Sequence, residues 1–357
     1  MVPGREVSAG VTGLPDLPER GICFKMIHLD SVMVEEILSN LYRVEIPLPG
    51  SPLGTVNSYV VKSDCRSLIV DTGMDREECK VALQRALEEI DVDLKKTDFF
   101  ITHLHLDHLG LVFGLKTGSS KVFFSRLDAE QVGSETEWDM AIQFALLHGF
   151  RADELQNVLS NHPGYRFKRS QLQKQVLFEF VREGQEIRIG NYLFRVIETP
   201  GHSRGHMCLY EPLQKILISG DHLLREITPT IQLWSKDGDP LRQYLSSLDK
   251  IETLEVERVL PGHGPMFRDC KRRIQELRHH HQKRAEEIIA LLDQGGQNAY
   301  QLASRMSWDV DYGPWDSFPV LQKWFTVGET LAHLKYLEGE GKTRRQMRNQ
   351  QVKFLLI

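Results

Sequence analysis

The sequence feature that most constrains the fold is a cluster of metal-ligating residue types directly after an apolar stretch. The segment ITHLHLDHLG, residues 101–110, places three histidines and one aspartate within six positions. Residues 98–102 read as a short buried strand, so the cluster leaves the C-terminal end of that strand. Ligand loops gather at this edge of open α/β sheets. We therefore expect an α/β fold in which one strand end carries His103, His105, Asp107 and His108.

Three more candidates follow later strands, each beside a glycine. They are His202 in ETPGHSRGH, Asp221 in LISGDHL and His263 in VLPGHGP. Imidazole and carboxylate groups are the ligands preferred by divalent metals such as zinc. The whole set of five histidines and two aspartates is large enough for two metal ions that share one carboxylate. Glycine lets the backbone turn sharply or approach an ion closely, and it flanks these ligands at Gly201, Gly220, Gly262 and Gly264.

The ordered series HxHxDH, GH, GD, GH resembles the ligand series of the metallo-β-lactamase superfamily. It covers roughly residues 40–265, and the ordered combination is specific. The resemblance implies a four-layered αββα sandwich. It also implies that His103, His105 and His202 hold a first metal. Asp107, His108 and His263 would hold a second metal, and Asp221 would be the carboxylate that bridges the two. The VDTG turn with Asp71 resembles the short motif that supports this site from behind.

The chemistry implied by this resemblance is hydrolysis. Two cations close together lower the pKa of a bridging water, so that hydroxide is available near neutral pH to attack a carbonyl or phosphorus centre. Asp107 is the expected catalytic residue, because it can orient the nucleophile or move a proton. Zinc is the first expectation for the two divalent ions, with iron and manganese as alternatives, since histidine and carboxylate suit all three.

The pattern of strands and helices divides the chain into three parts. Residues 1–37 are rich in glycine and proline and are predicted to be a poorly ordered leader. Residues 38–268 are the predicted catalytic domain, with a helical insertion at 126–175 that we interpret as a lid or substrate wall. Residues 269–357 have the outline of a helical, winged-helix-like domain, similar to the tails of lactamase-beta-2-like proteins. The apolar side chains expected on the wall are Phe144, Leu147, Phe150, Tyr165 and Phe167.

Three functions follow from these features. Asp221 stands where class B1 β-lactamases carry cysteine, so lactam hydrolysis is not the first choice. The leading hypothesis is a hydrolase of small esters or thioesters. The alternative is an endoribonuclease or other phosphodiesterase, with the tail presenting nucleic acid; the third is a metal-bound binding protein without turnover. The chain has a net charge of −5, while residues 271–357 carry +4, so the acidic catalytic part favours the first hypothesis.

Composition indicates which cellular compartment and which kinds of partner to expect for the protein. The five cysteines are scattered without a CxxC pair, which argues against a disulfide framework or a cysteine zinc site and favours a reducing, cytoplasmic location. Mean hydropathy is −0.32, and we expect no membrane span. The expected partner is a small-molecule substrate; nucleic acid is not favoured, and a homodimer is left open. The cysteines are Cys23, Cys65, Cys79, Cys208 and Cys270.

The remaining histidines are expected to have supporting roles. His206 is interpreted as bracing its turn, and His222 as supporting Asp221 from behind. For His148 and His162, roles in the core or on the surface are favoured over contact with substrate. The run HHH at 279–281 is expected on a solvated helix face, because three consecutive residues spread around a helix.

Overall fold

The first sheet has seven strands in sequence order, and its last strands run parallel so that their C-terminal ends share one edge. Strands β1 to β4 pair antiparallel, and β4 to β7 pair parallel. Parallel neighbours need crossover connections, and helix α1 (Glu77–Glu89) supplies the first of these. The strands are β1 (Val34–Leu38), β2 (Leu41–Pro47), β3 (Thr55–Val61), β4 (Ser67–Val70), β5 (Thr97–Phe100), β6 (Val122–Ser125) and β7 (Glu179–Val181).

The second sheet has five strands in the order β12-β11-β10-β9-β8. All its neighbours are antiparallel except β11 and β12, which are parallel and are joined through helix α7 (Pro240–Glu252). Asp239 caps this helix by accepting a hydrogen bond from the Arg242 backbone N–H, and Pro240 occupies the first helical turn. The strands are β8 (Glu186–Ile189), β9 (Tyr192–Glu198), β10 (Met207–Glu211), β11 (Ile216–Gly220) and β12 (Arg258–Pro261).

The structure is a computed structural model, and it describes residues 33–134, 137–162, 165, 176–310 and 312–357. Most of the predicted leader and Phe167 of the predicted wall lie outside the described residues. Strand β1 pairs with β2 from Val34 onward, so the predicted leader boundary after residue 37 is wrong by four residues. Residues Val32–Ile357 form one compact unit by themselves. Among the described residues, no helix is long and apolar enough to cross a membrane.

Three apolar cores explain how the layers are held. Alternate side chains of both sheets, such as Tyr59 and Phe194, meet in one core between the sheets. The other face of the first sheet packs against α1, where Leu83 is fully buried. The outer face of the second sheet packs against α7, where Leu248 is fully buried. The order of layers is therefore helix, sheet, sheet, helix, and the predicted αββα sandwich is confirmed.

The helical insertion joins the same core as the C-terminal helices. It contains α4 (Arg126–Gly133), α5 (Glu137–Leu147) and α6 (Ala152–Asn161). Phe150 is only 3% exposed and its ring contacts those of Trp234, Tyr300 and Trp324. The prediction that Phe150 lines a substrate wall is therefore wrong, because its surface is already buried by the second sheet's helical layer. The lid function of the insertion stays a prediction.

The C-terminal part follows the predicted order of helices and a two-stranded end. It contains α8 (Cys270–Leu292), α9 (Ala299–Ala303), α10 (Val320–Gly339) and the antiparallel hairpin β13 (Thr343–Arg348) and β14 (Gln351–Leu356). An isolated bridge between Gln297 and Phe354 ties the hairpin to the segment between α8 and α9. The winged-helix assignment and the domain boundary after residue 268 stay predictions. Two further short α-helices, α2 (Leu106–Leu109) and α3 (Val112–Leu115), follow strand β5.

The histidines of the outer layer are divided between core and surface. His279 is exposed, as expected, but His281 is 2% exposed and its Nδ1 lies 3.2 Å from Nε2 of His333. The prediction of a solvated face is therefore wrong for His281, because α10 covers that side of α8. His148 has the predicted core role: it is buried against the rings of Phe144 and Phe354.

We predict that His148 makes the fold sensitive to acid. Burial, with a smaller effect of Arg345, lowers the pKa of His148 to about 4. An unfolded histidine titrates near pH 6.5, so the unfolded state binds more protons below that pH, and stability falls as pH falls toward 4. This costs about 2 kcal/mol at pH 5. The urea midpoint of His148→Leu should therefore drop less between pH 7 and pH 5 than that of the wild type. His279→Leu, at an exposed position, should keep the wild-type pH dependence, and an unchanged pH dependence in His148→Leu would contradict the assignment.

Candidate metal centre

The end of strand β5 carries the first four candidate ligands, as the sequence predicts. After β5 the chain bends through residues 102–104, and His105 is the N-cap residue of the single-turn helix α2. That turn brings Asp107 and His108 back toward the strand end. His103 and His108 are completely buried. A bend followed at once by a short helix thus directs all four side chains toward one region.

His103, His105, His202 and Asp221 form one group whose ligand atoms all lie within 4.8 Å of one another. Nε2 of His103 and Nε2 of His202 each lie 3.0 Å from Nδ1 of His105. Oδ2 of Asp221 lies 3.5 Å from Nε2 of His202. Strand ends from both sheets therefore converge here, although 118 positions separate His103 from Asp221 in the chain.

Asp107, His108 and His263 form a second group of the same kind. Nε2 of His263 lies 3.3 Å from Nε2 of His108 and 3.4 Å from Oδ2 of Asp107. Asp221 lies between the two groups, because its Oδ1 is 3.5 Å from Nε2 of His108 and its Oδ2 is 3.6 Å from Nε2 of His263. The structure therefore brings together all seven side chains that the sequence selects.

Hydrogen bonds at the back of the rings determine which nitrogens face inward. Nδ1 of His202 donates to the backbone oxygen of Thr230 at 2.8 Å, and Nδ1 of His263 donates to that of Thr55 at 2.7 Å. A backbone oxygen can only accept, so each Nδ1 carries the proton and each Nε2 presents a lone pair. The lone pairs of these two histidines therefore point into the site.

Asp71 supports two of the histidines, in agreement with the role expected for the VDTG turn. Its Oδ2 accepts from Nδ1 of His108 at 2.8 Å and from Oγ1 of Thr102 at 2.8 Å. Because the Thr102 hydroxyl donates to Asp71, its oxygen can accept from Nδ1 of His103, 3.0 Å away. One buried carboxylate thus orients the rings of His103 and His108 together.

The backbone approaches the site closely at Gly262. A Cβ at this position would lie 2.5 Å from Oδ1 of Asp221 and 2.8 Å from Cε1 of His108. No other residue fits without moving these two side chains. His206 braces the neighbouring turn as expected, because its Nε2 accepts from the backbone N–H of Asp221 at 3.1 Å.

The charges in the site suit a cation. Burial lowers the pKa of His103 and His105, to about 3 for His105, so these rings are neutral and can donate lone pairs. Burial alone would lower the pKa of His108, but the carboxylates of Asp221, Asp71 and Asp107 raise it well above its ordinary value. Oδ1 of Asp221 is buried and has no hydrogen-bond donor among the described residues. Neutral imidazoles and an unpaired carboxylate oxygen are a donor set that divalent metal ions satisfy.

One protein family matches the part of the chain that contains these ligands. The model of the metallo-beta-lactamase superfamily matches residues 51–263, which include all seven candidate ligands. This chain belongs to the metallo-β-lactamase superfamily. Together with the relatives below, membership shows that the protein is a hydrolase.

Several proteins resemble the chain. It is 27% identical to the beta-lactamase-like protein 2 homolog of Caenorhabditis elegans, over 69% of this chain and 68% of that protein. It is also 27% identical to the probable metallo-hydrolase YqjP of Bacillus subtilis, over 84% and 93%. The human acyl-coenzyme A thioesterase MBLAC2 is 23% identical over 59% and 74%. A crystal structure of a metallo-beta-lactamase family protein from Thermus thermophilus matches with a TM-score of 0.73 and 27% identity, covering 90% of this chain and all of that one.

The polar residues that orient the ligands could not be identified from the sequence. Thr102, Thr230 and Asp128 contact the ligands or their loops, but none stands in a recognisable motif. The only sequence signal for Thr102 is its position between a buried strand and His103. Backbone acceptors such as Thr230 O carry no signal at all, because any residue type supplies the same oxygen.

We predict that Asp71→Asn weakens metal binding without abolishing the fold. Asp71 accepts from donors on both oxygens, the backbone N–H of Thr102 on Oδ1 and Oγ1 of Thr102 with Nδ1 of His108 on Oδ2. An amide has only one oxygen and turns its NH₂ group toward a donor, so at least one of these hydrogen bonds is lost. Loss of such a supporting partner lowers metal affinity by about 10–100-fold. Competition between the protein and a zinc-sensitive chromogenic chelator would measure the change. Asp91→Asn, at a fully solvated carboxylate, is the matched control, and equal affinities in all three proteins would contradict the assigned role of Asp71.

Proposed function

We propose that the chain is a dinuclear metal-dependent hydrolase of acyl thioesters or related small esters. The single observation that supports it most is the position of Asp221 between two groups of ligand atoms. Each group has its own histidines, and the shared carboxylate reaches both. A single ion would leave one of the two groups of buried lone pairs without a partner, which is costly in a dry interior.

The residues divide between two ions in the way that the geometry suggests. His103, His105 and His202 would hold the first ion, Asp107, His108 and His263 the second, and Asp221 both. When bound, two divalent cations supply an activated water and polarise the oxygen of the substrate. Zinc is our first choice, with iron and manganese as alternatives, because the ligands are nitrogen and oxygen atoms without sulfur.

Asp107 is the proposed catalytic residue within this set. Its side chain is 20% exposed, whereas that of Asp221 is 9% exposed, so Asp107 lies closer to the opening of the site. Burial raises the pKa of Asp107, but His108 and His263 outweigh this effect and bring it below the ordinary value. An ionised carboxylate at the opening can accept a hydrogen bond from an incoming water and orient it toward the substrate.

The substrate class is inferred from the relatives and from the charge of the chain. The human relative is named as an acyl-coenzyme A thioesterase, and its likeness covers 59% of this chain. A thioester presents a carbonyl carbon that an activated water attacks, and its thiolate leaves readily. A small-molecule substrate also agrees with the acidic balance of the catalytic part. A cytoplasmic location and a homodimer stay predictions.

The central prediction is that His103→Ala and Asp221→Ala abolish hydrolysis and reduce bound metal. Either change removes a ligand, so activity should fall more than about 100-fold, beyond the effect of losing a supporting partner. The measurement combines elemental analysis of the purified protein with a screen of acyl thioesters, esters, lactones and phosphodiesters. His279→Ala removes an exposed histidine and should behave as the wild type. Full activity with stoichiometric metal in His103→Ala would refute the site, and metal without turnover in the wild type would favour a binding protein.

One observation favours the phosphodiesterase alternative as a second candidate. Alternate residues of a strand share a face, and in the hairpin this places Arg344, Gln346 and Arg348 together, with Lys353 opposite Gln346. Arg344 and Arg348 are exposed, and no carboxylate among the described residues pairs with them. We define these cations, Arg344, Arg348 and Lys353, as the basic hairpin face. Such a face can follow a phosphate backbone.

This alternative predicts a salt-sensitive affinity for RNA that depends on the basic hairpin face. The double variant Arg344→Gln/Arg348→Gln should bind a short single-stranded RNA more weakly, and the slope of log affinity against log salt should fall by roughly 1 to 2. Fluorescence anisotropy at several salt concentrations would measure it. Arg151→Gln/Arg195→Gln, which changes two exposed arginines elsewhere, is the charge-matched control. Equal RNA binding by both double variants would remove the support for this candidate.

A further inference from the structure

Asp128 is a buried carboxylate that no ligand motif includes. It lies in the first turn of α4, the first helix of the insertion, and its side chain is completely buried. Ser125 caps this helix, with its Oγ accepting from the backbone N–H of Asp128. The acidic side chain is therefore held at a helix N-terminus, where negative charge is favoured, and it points away from solvent.

Three hydrogen-bond donors from two different parts of the chain converge on this carboxylate. Oδ2 accepts from the backbone N–H of Leu104 at 2.9 Å and from Oγ of Ser203 at 2.7 Å. Oδ1 accepts from the backbone N–H of Gly205 at 2.6 Å. All three partners are donors, so only an acceptor with two oxygens can satisfy them together.

The donors lie beside the histidines of the first ligand group. Leu104 stands between His103 and His105, and Ser203 follows His202 directly. We call residues 102–105 and 201–206 the two ligand loops. They come from different sheets, β5 and β9, and within the described residues Asp128 contacts both of them directly. We propose that Asp128 is a positioning residue that clamps the two ligand loops together and so pre-arranges the three histidines of the first metal site. This inference rests on the proposed metal site.

The packing around Asp128 is so close that a shift of its carboxylate also shifts the second ligand loop. A Cβ at Gly205 would overlap Oγ of Ser125 and would lie 2.8 Å from Oδ1 of Asp128. Glycine is therefore required where the second ligand loop meets the N-terminus of α4. Because the contact is direct, a change in the carboxylate moves the backbone that carries His202.

The charge state of Asp128 agrees with a role as acceptor. Burial raises its pKa to about 6, while the donors at Ser203, Gly205 and Leu104 and the charge of Arg204 oppose that increase. The carboxyl group is therefore ionised at neutral pH. An amide of the same shape would direct its NH₂ group at a donor, and at least one hydrogen bond of the clamp would be lost.

The test compares metal binding by Asp128→Asn and Ser203→Ala with that of the wild-type full chain. Asp153→Asn is the matched control, because Asp153 also lies in the first turn of a helix of the insertion but is exposed. Zinc affinity is measured by competition with a chelator, and the visible spectrum with one equivalent of Co²⁺ reports the geometry of the occupied site. We expect Asp128→Asn to lower zinc affinity by about 10–100-fold and to change the Co²⁺ spectrum. Ser203→Ala should give a smaller loss, Ser203→Thr should restore it, and Asp153→Asn should match the wild type.

The outcomes separate this proposal from the one on which it rests. If the wild type takes up no zinc or cobalt, the proposed metal site fails and the clamp fails with it. If the wild type binds metal and Asp128→Asn has the same affinity and the same Co²⁺ spectrum, only the clamp is refuted. A lower Tm that is equal in the metal-free and metal-loaded variant, with unchanged affinity, would show a merely structural role. Should Asp128→Asn fail to fold, Ser203→Ala against Ser203→Thr decides the question alone.

Discussion

The arrangement of this protein depends on a group of buried imidazoles whose ring nitrogens face one another around Asp221. Ring nitrogens of His103, His105 and His202 approach to 3.0 Å, and those of His108 and His263 to 3.3 Å. Ring nitrogens and carboxylate oxygens at such distances are a donor set that a cation satisfies, and burial prevents water from solvating them instead. The convergence therefore costs free energy that the rest of the fold must offset and that cations would recover on binding.

The free energy that offsets this cost comes from a sandwich in which two sheets present their strand ends at one edge. The core between the sheets, with Tyr59 and Phe194 fully buried or nearly so, holds the strands that carry the ligands at a constant separation. Behind the ligands, three histidine rings donate hydrogen bonds to Asp71, Thr55 O and Thr230 O, which restrict the rotation of those rings. The strands thus fix the backbone positions of the ligands, and these acceptors fix the orientations of the rings. Both restraints together keep the site rigid.

The insertion and the C-terminal part extend this scaffold from the outside. Phe150 of the insertion packs against Trp324 of α10, so both belong to the helical layer of the second sheet. At its other end the insertion supplies Asp128, which contacts both ligand loops. One segment therefore connects the outer helical layer to the metal centre.

The sequence by itself determined the seven candidate ligands, because ligand chemistry is a local property that can be read from neighbouring residues. The αββα class followed from the resemblance of their ordered series to the metallo-β-lactamase superfamily. It placed Phe150 on a substrate wall and His281 on a solvated face, and both proved to be buried. Whether an apolar or aromatic residue faces a substrate, solvent or another helix depends on which element packs over it. Only the tertiary structure decided that, along with the supporting roles of Thr102, Thr230 and Asp128, because those contacts join residues that are distant in the chain and lack any motif.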